Sequence, residues 1–416
     1  MITHARQPRG RLSAIPQDSP ATHQGPHRPG PAQRGLVTAL ILSSALVSAC
    51  LDDDGSGSNR DGSRTGRITM VGVEGLSYQT ASLSGTTDRD GRFRFQPGET
   101  LQLHLGDLPL ARDVPAREFL TPMEFTEDQR TALESGGVDD TGLSSHRVME
   151  RFIATSSPDA VNLMRFLMVL DQDQNASRDN PVTITQRTIN QINGFLSREE
   201  GFELDFSVPI NRFSSAPGEE TPLEELSAAN RLIRSICFHP PGDPLCEPPP
   251  TREEIDRAPT RPDNPVEEDG PFREDLIEKK EAIEASRRAV RDLDRTDVRD
   301  FLLDQADQYK LQQEEPFYLS PEAVDIRPDD TGLHSVALKK VEEASQLANM
   351  EAESRNPDAV LIHNHSAQEA VVRYFLNSHA GDSDESTLLV NFRLPGDYRW
   401  YRKTLRVQVS DEASAR

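Results

Sequence analysis

The sequence predicts a multidomain α+β protein with a small antiparallel β-sandwich, a helical unit, a linker followed by a helix, and a C-terminal immunoglobulin-like β-sandwich. Short alternating apolar stretches between glycine-rich turns occur over residues 67–120 and again over 321–412, which is typical of antiparallel sandwiches. Between them, apolar residues recur at three- and four-residue steps, which indicates helices. The 416 residues suffice for two or three domains.

An export signal is predicted at the start of the chain. Five arginines precede a charge-free apolar run, residues 35–50, which ends in Val47-Ser48-Ala49-Cys50. Because the run is short for a membrane span, a signal peptide over residues 1–49 is favoured over a transmembrane anchor. Small residues before a cysteine resemble the bacterial lipobox, which implies lipid modification of Cys50. Leu51 resembles the sorting pattern for the outer membrane, where we expect the protein to be anchored.

A flexible lipidated tether is predicted over residues 50–66, because glycine, serine and aspartate dominate it. The β-sandwich module is predicted over 67–120. Its turn Asp88–Gly91 is expected to be a hairpin in which Gly91 has a positive φ. The predicted strands are Ile68–Val73, Leu76–Thr80, Arg92–Phe95 and Leu101–Leu105.

Several motifs in this region carry a family resemblance. Gly75–Tyr78, Gly85–Phe95 and Pro97–Thr100, in that order, resemble the N-terminal module of certain gammaproteobacterial surface lipoproteins. The Thr-Asp-x-x-Gly-x-Phe core within them is also similar to the carboxypeptidase-regulatory, prealbumin-like β-sandwich. Motif order extends the resemblance to about residue 238. It implies a cell-surface module and no particular reaction.

A helical domain is predicted over residues 121–238, followed by a proline-rich acidic linker over 239–272 and a charged helical segment over 273–320. The linker composition is too polar and too rich in proline to predict a packed core. Apolar residues one heptad apart in the charged segment favour a surface helix over a coiled coil. The predicted helices span residues 145–170, 185–196, 221–236 and 273–293.

The C-terminal β-rich domain is predicted over residues 321–412. Residues 342–353 have helical propensity within it. Its aromatic cluster, Tyr398, Trp400 and Tyr401, is expected to pack in a core, with a glycan- or partner-stacking patch as the alternative. The predicted strands are 334–338, 359–363, 370–376, 388–392 and 400–409.

Two cysteines besides Cys50 predict a disulfide. Cys237 and Cys246 form an even pair in a chain with an export signal, which is the usual context for a structural cross-link. Metal binding by these thiols would require closer spacing or further ligands.

A calcium site is the best ligand hypothesis in the sequence. Oxygen-bearing side chains alternate in the loop after residue 170, as they do in calcium loops. Ala176 replaces the usual glycine and Val182 the closing glutamate, so an acidic loop without metal is the alternative. The candidate Ca²⁺ ligands are Asp171, Asp173, Asn175, Ser177 and Asp179.

Catalytic and nucleotide-binding motifs do not occur in the sequence. It contains no Gly-x-Ser-x-Gly, Walker or Gly-x-Gly-x-x-Gly motif, so we expect no enzyme and no certain cofactor. His363 and His365 have the spacing of two zinc ligands on one strand face, although solvent-facing histidines are favoured. The net charge of −23 argues against nucleic acid as a partner.

The sequence therefore favours a lipid-anchored, non-catalytic binding or structural protein of adhesin-like type. Its expected partners are the membrane, through the lipid, and an envelope protein. The alternative is an accessory lipoprotein of an envelope transport system that handles lipids or organic solvents. That alternative requires an apolar pocket lined by Phe152, Leu163, Phe166 and Phe195. A hydrolase ranks last.

Overall fold

The computed structural model describes residues 61–215, 226–262, 271–341 and 346–411. The predicted signal peptide and most of the tether lie outside these ranges. The described residues hold nine α-helices and 19 β-strands in several sheets, so the fold is mixed α+β as the sequence predicts. The described residues belong to one compact unit.

Eight strands form the first β-region. One sheet has the order β4-β3-β6-β7 and a second has the order β5-β1-β8, in which β1 and β8 are parallel. The first strand begins inside the predicted tether. The strands are β1 (Arg64–Ile68), β2 (Val73–Glu74), β3 (Ser77–Gln79), β4 (Ser84–Thr86), β5 (Arg92–Phe95), β6 (Thr100–Leu105), β7 (Leu108–Pro115) and β8 (Phe119–Leu120).

The predicted strand Ile68–Val73 is interrupted. Thr69 and Gly72 have φ values of 60° and 97°, so the chain turns between β1 and β2. Gly91 has the predicted positive φ, 68°, and a Cβ there would lie 2.5 Å from the carbonyl oxygen of Ile68. Its turn is not a hairpin, because it joins β4 and β5, which belong to different sheets.

Helices and short strands follow. The predicted helix 145–170 is two helices, because Pro158 has no N–H to continue the first and begins the second. The helix predicted over 221–236 spans only Ala228–Arg234, with residues 221–225 outside the described ranges. The elements are α1 (Glu127–Ser135), β9 (Gly137–Val138), β10 (Ser144–Ser145), α2 (Arg147–Ser156), α3 (Pro158–Leu170), β11 (Val182–Thr183), α4 (Gln186–Leu196), α5 (Ile210–Phe213) and α6 (Ala228–Arg234).

Helix α3 is the central element of the first core. Every residue from Ala160 to Leu170 is buried. The two polar side chains among them bind backbone carbonyls: Asn162 Nδ2 donates to Phe206 and Val208, both at 2.8 Å, and Arg165 Nε donates to Leu293 at 2.9 Å. These hydrogen bonds compensate for burial of the Asn162 Nδ2 and Arg165 Nε donors, whereas Asn162 Oδ1 is buried without a partner among the described residues.

The predicted linker is folded over its described residues, 239–262. Thr251 and Glu254 form a capping box, with Thr251 N donating to Glu254 Oε2 at 2.7 Å. The predicted helix 273–293 ends at Ala285, and the longest helix described was not predicted individually. The elements are a 3₁₀ turn (Pro244–Cys246), α7 (Arg252–Arg257), α8 (Arg273–Ala285), a second 3₁₀ turn (Val290–Asp292) and α9 (Arg295–Glu314).

Helix α9 completes the first core, which includes residues from Ile68 to Ala306. Its buried side chains follow the amphipathic spacing of a helix: Val298, Phe301, Leu302, Gln305 and Ala306. Gln305 Oε1 accepts the N–H groups of Met70 and Val71, both at 2.9 Å. The first core therefore crosses the predicted boundaries at residues 120, 238 and 272. We call described residues 61–315 the body.

Residues 317–409 form what we call the C-terminal β-unit. Two four-stranded sheets, β12-β14-β17-β16 and β13-β19-β18-β15, surround a second core. Strand β12 lies within the predicted helical segment, and a strand occupies 349–354, where helical propensity was noted. The strands are β12 (Phe317–Ser320), β13 (Ala323–Ile326), β14 (His334–Lys340), β15 (Asn349–Ser354), β16 (Val360–Ser366), β17 (Val371–Leu376), β18 (Glu385–Arg393) and β19 (Trp400–Val409).

Candidate functional site

The predicted lipid-attachment residue, Cys50, lies outside the described residues, so its modification stays a prediction. Among the helices of the described ranges, none combines the length and the apolar character needed to cross a membrane.

Cys237 and Cys246 lie at disulfide distance, as predicted. Their Sγ atoms are 2.11 Å apart and their Cα atoms 5.3 Å apart. Helix α4 holds the loop that they close: the Gln191 side chain accepts the N–H of Cys237 at 2.9 Å and donates to its carbonyl at 3.1 Å. Arg187 donates to the carbonyl of His239. The cross-link therefore fixes the start of segment 239–262 on α4.

The five candidate calcium ligands lie in the loop after α3. Asp171 is fully buried and binds backbone N–H groups: Oδ1 accepts from Thr183 at 2.8 Å, and Oδ2 from Asn175 at 3.0 Å. Asp173 accepts from the Asn175 side chain at 2.8 Å. Ser177 accepts from the side chain of Asn180 at 2.9 Å, and Asp179 is exposed. The loop is thus organised around the Asp171 carboxylate.

Burial raises the pKa of Asp171, although its backbone hydrogen bonds oppose the change. Arg288 donates to the carbonyl groups of Val169 and Gln172, both at 2.9 Å, next to this carboxylate. Within the described ranges, no three His, Cys, Asp or Glu side chains converge as a metal-binding set. Calcium binding by this loop stays a prediction.

The two candidate zinc histidines lie on β16, where the pairing register with β17 shifts between Ile362 and Asn364. His363 packs against Phe375, with ring centroids 6.2 Å apart. Because the shift interrupts the two-residue alternation of a strand, the spacing of His363 and His365 no longer implies a shared face.

The apolar pocket required by the transport alternative does not form from its four named residues. Phe152 is 57% exposed, whereas Leu163, Phe166 and Phe195 are buried in the first core. Phe166 packs against Phe206, with centroids 5.8 Å apart. These side chains fill the core.

A recess of about 410 Å³ opens between β7, α1 and α3. Burial raises the pKa of Asp159, and Asp205 and Asp128 raise it further. Arg130 donates to the carbonyl groups of Glu124 and Phe125 at 2.9 and 3.0 Å, so it is held on the backbone. The walls combine Leu110, Phe125, Leu163 and Phe206 with Arg112, Asp113, Glu127, Arg130, Asp159 and Asp205.

A buried charge cluster lies at the junction between the body and the C-terminal β-unit. Arg399, only 2% exposed, has Nη2 3.4 Å from Glu124 Oε2, Nε 3.6 Å from Glu150 Oε1 and Nη1 3.3 Å from Asp397 Oδ1. Both body carboxylates are also buried. Three aromatic rings lie within 6 Å of the guanidinium carbon: Phe119, Tyr309 and Tyr398.

His146 joins this cluster from the body. Its Nδ1 accepts the backbone N–H of Trp400 at 2.9 Å, and its Nε2 lies 3.6 Å from Glu150 Oε2. The hydroxyl of Tyr398 donates to Glu150 Oε1 at 3.0 Å. Because Nδ1 accepts a hydrogen bond, this nitrogen carries no proton.

Burial lowers the pKa of His146 to about 2, and the charges of Arg399, Arg147 and Lys310 act in the same direction. Burial raises the pKa of Glu150, although Arg399 opposes the change. The lowered pKa and the acceptor role of Nδ1 both indicate that His146 is neutral at physiological pH.

Further polar contacts surround this cluster. Glu351 accepts the N–H and the hydroxyl of Ser144 at 2.8 and 2.6 Å, and Asn391 donates to the Ser144 carbonyl at 2.9 Å. Arg402 pairs with Asp139. Sequence analysis missed this junction; its one signal was the aromatic run, in which Tyr398 and Tyr401 are buried as predicted.

Neither a protein-family model nor a curated protein matches the chain. Among solved structures, part of the chain aligns with the endo-β-1,4-mannanase from Thermotoga petrophila at 8% identity and a TM-score of 0.16. The alignment covers 28% of this chain and 24% of the mannanase, so the chain spans about a quarter of that protein's length. A likeness this slight carries no argument about fold or activity.

Proposed function

We propose that this protein is a lipid-anchored bacterial envelope protein with a non-catalytic, adhesin-like binding or structural role. Cys50 attaches it to the outer membrane, and the membrane and an envelope protein are its partners. The observation that carries the proposal is the strand order of the C-terminal β-unit, taken together with the lipobox-like sequence before Cys50.

The strand order supports an immunoglobulin-like assignment. In that fold one sheet has the order ABED and the other contains C, F and G. Here β12-β14-β17-β16 corresponds to the first sheet, and β19-β18-β15 to the second. Strands β12 and β13 correspond to one first strand divided between the sheets. Many cell-surface domains share this architecture, and the functional step is an analogy at the level of fold.

One end of this unit is available for a partner. The turn 394–399 is used in the junction, whereas the connections 327–333, 355–359 and 377–384 lie at the other end and are mostly exposed. Asn377 N donates to the Ala359 carbonyl at 2.9 Å, which joins the second and third connections, and Asp411 N donates to Asp382 Oδ1 at 3.1 Å, which ties the third to the end of β19. We place the partner-binding surface on these three connections.

Metabolic labelling with an alkyne palmitate tests the anchor in cells that express the full chain. We expect the wild type to carry the label and to fractionate with outer membranes, and Cys50→Ser to lose both properties. Ser48→Ala keeps a small residue before the cysteine and is the matched control, which should stay labelled. An unlabelled wild type, or equal labelling of Cys50→Ser, would contradict the proposal.

A further inference from the structure

We propose that the junction around Arg399 is an acid-released latch: below about pH 4.5 the C-terminal β-unit detaches from the body while both parts remain folded. This goes beyond the proposed anchoring and binding role, because it makes the position of the binding unit depend on the pH outside the cell membrane.

The distribution of apolar residues permits such a detachment. The second core begins at Phe317, and the first core consists of residues up to Ala306 together with Tyr398. Among the described buried residues, Tyr398 is therefore the one member of the C-terminal β-unit that belongs to the core of the body. Since each part buries its own apolar side chains, each keeps its main source of stability when the contacts between them separate. Only residues 315 and 316 connect α9 to β12.

Charged side chains make the contacts across the junction. Arg399 faces Glu124 and Glu150, Arg402 pairs with Asp139, and Glu351 accepts two hydrogen bonds from the body. The buried position of Arg399 is stable only while these acidic partners surround it. The other charged or titratable groups in and around the cluster are His146, Arg147, Asp307, Tyr309, Lys310, Asp397, Tyr398 and Tyr401.

Release of the C-terminal β-unit is coupled to the binding of a proton by His146. In the docked state it is neutral, because burial lowers its pKa to about 2 and Nδ1 accepts the N–H of Trp400. In the released state it returns to its ordinary pKa of 6.5. Below that pH the released state therefore binds one more proton at this residue, and each pH unit favours release by about tenfold.

Glu150 opposes this effect over part of the range. Burial raises its pKa above the ordinary value of 4.5, so between that value and its raised pKa the docked state holds a proton that the released state lacks. The two contributions then cancel. Below pH 4.5 the carboxyl is protonated in both states, so Glu150 no longer offsets His146. Burial opposes the lowering of the Asp139 pKa, which the hydrogen bonds from Thr141 and the pairing with Arg402 cause. Because Arg402 acts across the junction, its loss on release lets Asp139 bind a proton more readily, in the same direction as His146.

Trp400 is the single tryptophan of the chain, and it lies in the junction. The sample is the full chain without its signal peptide. We would titrate it from pH 7 to pH 3 and follow Trp400 emission, far-UV circular dichroism and small-angle scattering. A reversible change in emission below about pH 4.5, with a larger radius of gyration and unchanged circular dichroism, is the expected result.

His146→Asn is the deciding variant, because its Oδ1 is two bonds from Cβ, as Nδ1 of the histidine is, and so still accepts the N–H of Trp400 but does not titrate in this range. We expect its emission change to move at least about one pH unit lower. His104→Asn, in β6 and away from the junction, is the control and should match the wild type. The latch would be refuted by constant emission and radius down to pH 3, by loss of circular dichroism at the same pH, or by an unshifted transition in His146→Asn.

Discussion

At the scale of single residues, Arg399 determines how the two parts of the molecule meet. Its guanidinium is buried between Glu124, Glu150 and Asp397 and lies over three aromatic rings. Arginine suits this position because it stays charged and its planar group pairs with carboxylates while it stacks on rings. A buried charge of this kind is tolerated only while every partner is present.

We predict that Arg399→Met destabilises the protein by about 3–5 kcal/mol, because it leaves Glu124 buried without its cation and Glu150 with only Arg147, 3.9 Å away. Urea unfolding followed by Trp400 emission measures the loss. Arg406→Met is the matched control: Arg406 pairs with Glu385 at the surface, where its side chain is 66% exposed, and we expect a change within about 0.5 kcal/mol. Equal effects of the two substitutions would contradict the structural role of Arg399.

The residues predicted from sequence were those whose partners are near in the chain. Cys237 and Cys246 are nine positions apart, and the burial of Tyr398 and Tyr401 follows from their apolar rings. Arg399 was not predicted, because Glu124 and Glu150 lie some 250 positions earlier and no local pattern encodes that pairing. Asp171 was predicted as a metal ligand, but its hydrogen bonds to Thr183 and Asn175 are not visible in the spacing of acids.

At the scale of elements, local signals predicted the strands and α4 well. They failed where tertiary contacts determine the structure. Strand β1 ends early, because Thr69 and Gly72 have positive φ, and α9 has a buried face that includes Gln305 although its sequence is mostly polar. The proline-rich segment 239–262 was expected to be unordered. It folds because the disulfide fixes its start on α4, the Thr251 capping box starts α7, and Arg273 of α8 donates to the carbonyl groups of Ile255 and Asp256.

We predict that Cys237→Ser with Cys246→Ser lowers the stability of the body by about 2–3 kcal/mol, because the short cross-linked loop gains freedom in the unfolded state. Thermal unfolding followed by circular dichroism measures this change. Reduction of the wild type is the internal control and should give the same midpoint as the variant. An unchanged midpoint in both samples would mean that Gln191 and Arg187 alone hold the loop.

At the scale of the whole molecule, the predicted series of separate modules becomes two cores. The first collects the β-region, the helical unit and α9, and the second belongs to the C-terminal β-unit. The sequence predicted five of the eight strands in the C-terminal β-unit, because strands of alternating residues carry their own pattern; it missed β12, β13 and β15. It did not predict the merging of the earlier segments, because pairings such as Gln305 with Met70 are long-range.

We predict that residues 316–416 fold alone, because the second core is made of their own side chains. A cooperative denaturation curve with β-type circular dichroism is the expected outcome. The matched variant of the same fragment is Phe392→Ala, which removes a fully buried ring and should cost about 3–5 kcal/mol. A non-cooperative curve for the unsubstituted fragment would show that the body is needed for folding.

The position of Gln305 has a consequence for biosynthesis. Its amide oxygen accepts the N–H groups of residues 70 and 71. The segment after β1 therefore lacks this partner until α9, more than two hundred residues later in the chain, has been synthesised. A chain that leaves the ribosome or a translocon from its amino end therefore exposes apolar strands for most of its passage, and such species are prone to aggregate. We therefore expect the chain to depend on holding chaperones until α9 is complete, and the last hundred residues to fold without them.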